Sequence, residues 1–122
     1  MNVTAISSLK RFHLVTAAST NSNSLTAVPT GFDGMTGWAT VTAYLKLFDK
    51  ASAPVLGTDV PAMTIMLPAN QLTRVDFGVE TCTFKNGLAM AITLNPADND
   101  TTVLAAANTS GVDLFYSPQS GA

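Results

Sequence analysis

The side chains that could carry out catalysis are few in this chain. His13 is the only histidine and Cys82 the only cysteine among 122 residues. A serine or cysteine nucleophile needs a neighbouring base, and nothing in the sequence ties His13 to a nucleophile. The alternating stretches RFHLV and TCTF favour a half-buried structural histidine and a small buried cysteine in a strand. We therefore predict no catalytic residue and no intrachain disulfide.

The acidic residues offer one spacing that could bind a metal ion. Asp98 and Asp100, in PADNDTT, are spaced like ligands of a calcium-binding loop. Counted from Asp98, the sixth and twelfth residues are Val103 and Thr109, whereas an EF-hand needs Gly and Glu there. We expect instead a turn in which Asp and Asn side chains bond nearby backbone N–H groups, with a calcium site of another kind as the alternative. The sequence predicts no metal and no cofactor, since no GxGxxG or P-loop motif occurs.

Low charge is the most informative feature of the composition. Charged residues make up 11% of the chain against about 25% in typical domains, while hydrophobic residues make up 47%. The chain is therefore expected to fold, with a surface of Ser, Thr, Asn and Ala that resists association poorly. Charge is also depleted at the cores of protein interfaces, so the composition favours a protein that lives in a stoichiometric assembly.

Charge and hydropathy argue against two classes of partner. The net charge is −2, and Lys10–Arg11 is the only basic doublet, whereas nucleic-acid binding needs clustered basic side chains that displace counterions. No run of about twenty apolar residues is present, so no membrane span is predicted. Residues 1–15 lack a continuous apolar core and are not expected to act as a signal peptide.

Alternating hydrophobicity indicates that β-strands build the chain. Period-two segments with β-branched and aromatic residues are typical of half-buried strands. They occupy residues 38–50, 62–68, 72–78, 81–94 and 110–118, with 3–7 and 10–18 as further candidates. In residues 38–50, one face is predicted to hold Val41, Ala43, Leu45 and Leu47. The expected loops are 19–24, 29–37, 50–61 and 94–102. Six to eight strands at this spacing predict one domain over residues 1–122, an all-β, single-domain antiparallel β-sandwich that is jelly-roll-like.

For two segments, the sequence is compatible with more than one local structure. Asn86–Gly87 is the strongest short hairpin signal in the chain, but the arm before it is short, so a turn or bulge fits as well as a full hairpin. Residues 101–108 (TTVLAAAN) fit a short helix, or equally a loop or a bent strand.

Three aromatic residues form the only pattern that suggests a ligand. Trp38, Tyr44 and Phe48 have the same parity on the predicted strand 38–50, so they would share one face. Such a face could stack on a sugar, or it could pack against the second sheet or a neighbouring subunit.

The loop KASAPVLGTDVP (50–61) is unusually apolar. Pro54 and Gly57 are expected to stiffen and turn it, which leaves Val55 and Leu56 on a preordered, weakly polar segment. A preordered loop loses little conformational entropy when it docks. Two explanations remain: the loop folds back over the end of the sandwich, or it contacts a partner.

The block YLKLFDKASAPVLGTDVPAMTIMLP, followed by VDFGVETCTFKNGLAMAITLNPADNDTT, resembles a recurrent family of small phage and prophage proteins. The resemblance covers about residues 38–102 and leaves the first 37 residues out. It implies a phage origin more firmly than a role. Small all-β phage proteins of this size resemble jelly-roll capsid cement (decoration) proteins or modules of tail fibres and spikes.

The resemblance and the composition together predict a structural virion protein rather than an enzyme. We expect a decoration protein that binds the major capsid protein at the capsid surface of the virion, as a homo-dimer or homo-trimer made in the host bacterial cytoplasm. Residues 1–12 and 117–122 could serve as arms across a neighbour. A tail-fibre or receptor-binding module that recognises host polysaccharide is the alternative. The predicted contact residues are Val55, Leu56, Trp38, Tyr44 and Phe48.

Overall fold

The computed structural model describes residues 9–78 and 81–119, in which nine strands form two antiparallel sheets. The strands are β1 (Lys10–Leu14), β2 (Asn23–Ser24), β3 (Thr30–Ala39), β4 (Ala43–Asp49), β5 (Met63–Leu67), β6 (Gln71–Asp76), β7 (Cys82–Phe84), β8 (Leu88–Thr93) and β9 (Thr109–Pro118). The predicted all-β antiparallel sandwich is confirmed, whereas its jelly-roll-like character stays a prediction.

Each sheet is assembled from strands that are far apart in the chain. Sheet A has the order β1-β9-β3-β6, and β7 also pairs with β3. Sheet B has the order β2-β8-β4-β5. The first strand therefore lies beside the last, and the second lies beside the eighth.

The inner faces of the two sheets meet in one hydrophobic core. Phe32 lies at its centre, with ring contacts to Phe77 at 5.8 Å and to Phe84 at 6.4 Å between centroids. Ala43, Leu45 and Leu47 of β4 share one face, as their alternation predicted, and each is fully buried, whereas Val41 precedes the strand and is 37% exposed. The other fully buried core side chains include Met35, Ala39, Leu67, Leu88, Met90, Ile92, Val112 and Leu114.

The predicted strand 38–50 is wrong, because the chain changes sheets in its middle. Trp38 belongs to β3 in sheet A, and Tyr44 belongs to β4 in sheet B. The corner lies at residues 40–42, whose Thr-Val-Thr sequence is as β-prone as the strands on either side. Tertiary hydrogen bonds hold this corner, since the Thr40 amide donates to the Asn108 carbonyl at 2.8 Å and the Ala69 amide donates to Thr42 Oγ1 at 3.3 Å.

The predicted loop 29–37 is also wrong, since it forms most of β3, which pairs with β6, β7 and β9. The prediction was based on the glycines of this segment, which are typical of turns. In the structure they are required by close packing instead. A Cβ on Gly34 would lie 2.2 Å from the Val75 carbonyl oxygen of β6. A Cβ on Gly37 would lie 3.2 Å from side-chain carbons of three neighbouring residues. Glycine here lets other parts of the protein approach the strand closely.

Asn86–Gly87 does not close a hairpin. The preceding strand β7 is in sheet A and the following strand β8 is in sheet B, so this turn carries the chain between sheets. Gly87 has φ +147°, and a Cβ there would lie 2.5 Å from the Thr26 carbonyl oxygen and 2.9 Å from that of Lys50.

The structure also defines the segment 101–108 and parts of the two predicted arms. Residues 101–108 form an extended loop that ends in one 3₁₀ turn, Ala106–Asn108, instead of a helix. Parts of the two predicted arms belong to strands, since β1 contains residues 10–12 and β9 contains residues 117–118. Residues 1–8 and 120–122 of those arms lie outside the described residues, as does the candidate strand 3–7.

We expect Gly87→Ala to destabilise the fold strongly. The new Cβ would overlap two backbone oxygens that cannot rotate away, so the cost is about 3 kcal/mol or more, combining strain with overpacking. Urea denaturation measures it. Gly111→Ala is the matched control, because Gly111 has φ +69° but nothing within 4 Å of its Cβ position, which predicts only about 1–2 kcal/mol. Equal losses in the two variants would contradict this account.

Candidate functional site

The outer face of sheet B is buried, although it points away from the core. Lys46, Ala91 and Thr93 each have no exposed surface, and Phe48 is 1% exposed. Two loops account for this burial: the β4–β5 loop (residues 50–62) and the β8–β9 loop (residues 94–108). We call their outward surface the loop face.

The β4–β5 loop is anchored by apolar packing. Leu56 packs against Phe48, Ala89 and Ala91, which form a second hydrophobic cluster on the outer side of the sheet. Pro54 is also buried. Part of the apolar content of this loop therefore closes the sandwich, as one of the two explanations predicted.

A half-buried ion pair fixes the shape of the same loop. Lys50 Nζ lies 2.6 Å from Asp59 Oδ2, and the same oxygen accepts a hydrogen bond from the Val55 amide at 2.7 Å. The hydrogen bond from Lys50, followed by that from Val55, lowers the pKa of the Asp59 carboxyl. The loop is thus tied at both ends, and it turns at Gly57, whose φ is +89°.

The β8–β9 loop is organised around one carboxylate. Asp100 accepts four hydrogen bonds, two from Asn95 and two from Thr102, at 2.8–3.3 Å. Burial alone would raise the pKa of Asp100, but these hydrogen bonds outweigh it and lower the pKa. The expected Asp turn is therefore confirmed. Asp98 is exposed, and the described residues contain no group of three His, Cys, Asp or Glu that could hold a metal ion.

Lys46 connects the sheet to this loop, and the sequence analysis did not single it out. Its Nζ donates a hydrogen bond to the Ala97 carbonyl at 2.5 Å. Burial lowers the pKa of Lys46, and the charges of Asp100 and Asp98 partly restore it. The sequence did hold a signal for this role. Lys46 lies between Tyr44 and Phe48 on the outer face of β4, and a lysine there must either reach water or be covered by a neighbouring segment.

The two loops meet each other and present valines to solvent. A Cβ on Gly57 would lie 3.8 Å from Thr101 Cγ2, so the loops are neighbours at this point. Val55 and Val103 each lie two residues from this contact and are 56% and 53% exposed. Val60 is 71% exposed on the same loop as Val55. The loop face is therefore anchored to sheet B, and it carries three exposed valines among polar side chains.

The predicted contact residues do not form one surface. Trp38 is 40% exposed on the outer face of sheet A, beside Leu72 of β6. Tyr44 is half-buried on sheet B, while Phe48 is covered by Leu56. The prediction of a shared aromatic face is wrong because Trp38 lies on the other sheet. Of the five residues, Val55 and Trp38 are exposed.

The structure does not bring His13 and Cys82 together. His13 Nδ1 lies 2.7 Å from Asp113 Oδ1 on the outer face of sheet A, where Arg11 Nε also lies 2.8 Å from the same oxygen. Cys82 packs against the core on the opposite face of that sheet. The hydrogen bonds and charges of Arg11 and His13 lower the pKa of Asp113, although burial alone would raise it. His13 thus acts as a cross-strand partner of Asp113, but the prediction that it is half-buried is wrong, since its side chain is 45% exposed.

We expect Lys46→Met and Lys46→Ala to separate the packing role of Lys46 from its role as a loop anchor. Met keeps most of the volume and costs about 1 kcal/mol or less, whereas Ala leaves a cavity and costs about 2–4 kcal/mol. Both remove the bond to Ala97, so amide hydrogen exchange at residues 94–102 should accelerate in both variants. If Lys46→Met loses as much stability as Lys46→Ala, the amine itself is required and this prediction is contradicted.

The lowered carboxyl pKa values predict acid sensitivity. Asp59, Asp100 and Asp113 all have folded-state pKa values below the ordinary 3.8. Their contribution to stability is complete above the unfolded-state pKa and is lost as the pH falls through the lower folded-state pKa. Urea denaturation from pH 7 to pH 2 should show this loss at the acidic end. Asp100→Asn should reduce the slope there more than Asp98→Asn, and equal effects of the two variants would argue against it.

Comparisons of this chain with protein families, curated proteins and solved structures found no match. The described part of the chain contains no helix with the length and apolar character needed to cross a membrane. An assignment of function therefore rests on the surfaces described above.

Proposed function

We propose that this chain is a phage capsid decoration protein, which binds the outer surface of the major capsid protein lattice and stabilises the shell. The observation that supports this most is the loop face. Its two loops are held from below by Leu56, Lys46 and the Lys50–Asp59 pair, yet they expose Val55, Val60 and Val103.

A surface of this kind is suited to binding a rigid partner. The loops lose little conformational entropy on docking, because burial and hydrogen bonds already order them. Exposed apolar side chains on an ordered surface gain free energy when a complementary surface removes water from them, at about 25 cal/mol per Å². A disordered loop with the same valines would have to be ordered at the moment of binding.

Composition supports the same proposal. With 11% charged residues and a net charge of −2, the chain has few of the charges that keep free monomers apart. The resemblance to small phage proteins points in the same direction. The nested strand order, with β1 beside β9 and β2 beside β8, supports a jelly-roll arrangement of the kind used in capsid proteins.

The mechanism is mass action. A protein that binds the assembled shell and not its dissociated subunits stabilises the shell by RT ln(1 + [L]/Kd), which is about 2.7 kcal/mol at a hundredfold excess over Kd. The protein would act at the capsid surface as a dimer or a trimer. Trp38 and Leu72, the exposed cross-strand pair of sheet A, are the residues that we place between copies.

The alternative, a tail-fibre or receptor-binding module that recognises polysaccharide, was predicted from a shared face of Trp38, Tyr44 and Phe48. That face does not exist, since Phe48 is buried and Trp38 lies on the other sheet. The aromatic argument for this alternative is therefore lost.

The decisive experiment is the copy number of this chain per purified virion, measured by quantitative mass spectrometry against the major capsid protein. A fixed, small ratio to the shell protein is the expected result. A handful of copies per particle would place the chain in the tail or its fibres, and absence from the particle would end the virion proposal altogether.

We expect Val55→Asp to weaken binding to the shell. A carboxylate on the loop face would have to be desolvated in the contact, and a change of about 1–2 kcal/mol corresponds to roughly tenfold weaker affinity or more. Binding of the purified protein to particles that lack it measures the change. Val15→Asp is the control, because Val15 is 79% exposed directly after β1 of sheet A. Equal weakening by both substitutions would count against the loop face.

A further inference from the structure

A cleft of about 510 Å³ lies on the outer face of sheet A, on the side of the sandwich opposite the loop face. Strands β3, β6 and β9 form its walls, and its volume falls within the range of small-molecule sites in proteins. The polar side chains that line it are Asp33, Thr36, Arg74, Asp76 and Ser117.

A β-bulge creates the cleft. On β3, Phe32 pairs with Tyr116 and Gly34 pairs with Phe115, so Asp33 is an extra residue without a partner on β9. Bulges of this type redirect a side chain, and they are over-represented next to functional sites.

Each of the two carboxylates has one oxygen held by the protein. Asp33 Oδ2 accepts a hydrogen bond from Ser117 Oγ at 2.7 Å, and Asp76 Oδ1 accepts one from the Gly78 amide at 2.8 Å. Asp76 Oδ2 lies 3.7 Å from an Arg74 nitrogen, which is longer than a hydrogen bond. Oriented acceptor oxygens therefore remain for a ligand.

The cleft also supplies donors and an apolar wall. Arg74 and Thr36 are cross-strand partners on β6 and β3, and the guanidinium carries up to five N–H donors. The half-buried Phe115 and the exposed Leu9 contribute apolar surface. Acceptors, donors and an aromatic face are thus combined in one small space.

We propose that this cleft binds a neutral polyhydroxylated ligand, namely a saccharide unit. Hydroxyl groups both donate and accept, so a sugar can use the carboxylates and the guanidinium together, and the C–H face of its ring can pack on Phe115. An anion would be repelled by the two carboxylates, and a cation would be repelled by the Arg74 guanidinium. This site is independent of the proposed function, and both faces could be occupied at once.

The test is a titration of ¹⁵N-labelled full-length protein, followed by two-dimensional NMR. The probes are glucose, galactose, mannose and N-acetylglucosamine, together with disaccharides of each, so that a single unit is distinguished from a chain end. We expect saturable shifts of the Gly34, Gly78 and Ser117 amides for at least one probe, with millimolar affinity.

Asp33→Asn is expected to weaken that binding about tenfold or more. Asp113→Asn, on the same sheet face but outside the cleft, should leave it unchanged. Arg74→Met provides a second cleft variant if Asp33→Asn perturbs the fold. The proposal is overturned if no saccharide gives saturable shifts at the cleft, if both Asn variants bind alike, or if arginine methyl ester or sulfate binds there and the saccharides do not.

Discussion

The covering of the outer face of sheet B is the constraint on which the rest of the structure depends. A two-sheet sandwich normally leaves its outer faces to water, but β4 and β8 carry Phe48, Ala89 and Ala91 there, next to a fully buried lysine. Exposing this face would leave an apolar patch in water. The β4–β5 and β8–β9 loops therefore have to lie across it, and this requirement fixes their conformations.

That covering has two consequences for function. The loops become ordered parts of the fold, so the valines on their outer side form a fixed surface instead of a mobile one. The two outer sides of the molecule also become chemically different. One is the loop face with its exposed valines, and the other is a sheet face on which Asp113 contacts both Arg11 and His13 beside a polar cleft.

Features that neighbouring residues determine were predictable from the sequence, and features that distant contacts determine were not. The inward side chains of β4 and the Asp turn at Asp100 were predicted correctly, because alternation and side-chain bonds to nearby amides are local properties. The β3 strand was missed because its glycines look like turn residues. They are explained by the close approach of β6 and of core side chains, which no local pattern encodes.

The sequence by itself determined the all-β class, the inward face of β4, and a low charge that favours association. Only the tertiary structure decided that residues 40–42 turn a corner, that Trp38 and Phe48 lie on different sheets, and that Leu56 faces inward while Val55 faces outward. The physical reason is that strand pairing and loop docking join residues distant in the chain. The Thr40 amide bonds to Asn108, and Lys46 to Ala97, and such pairings depend on the whole packed arrangement.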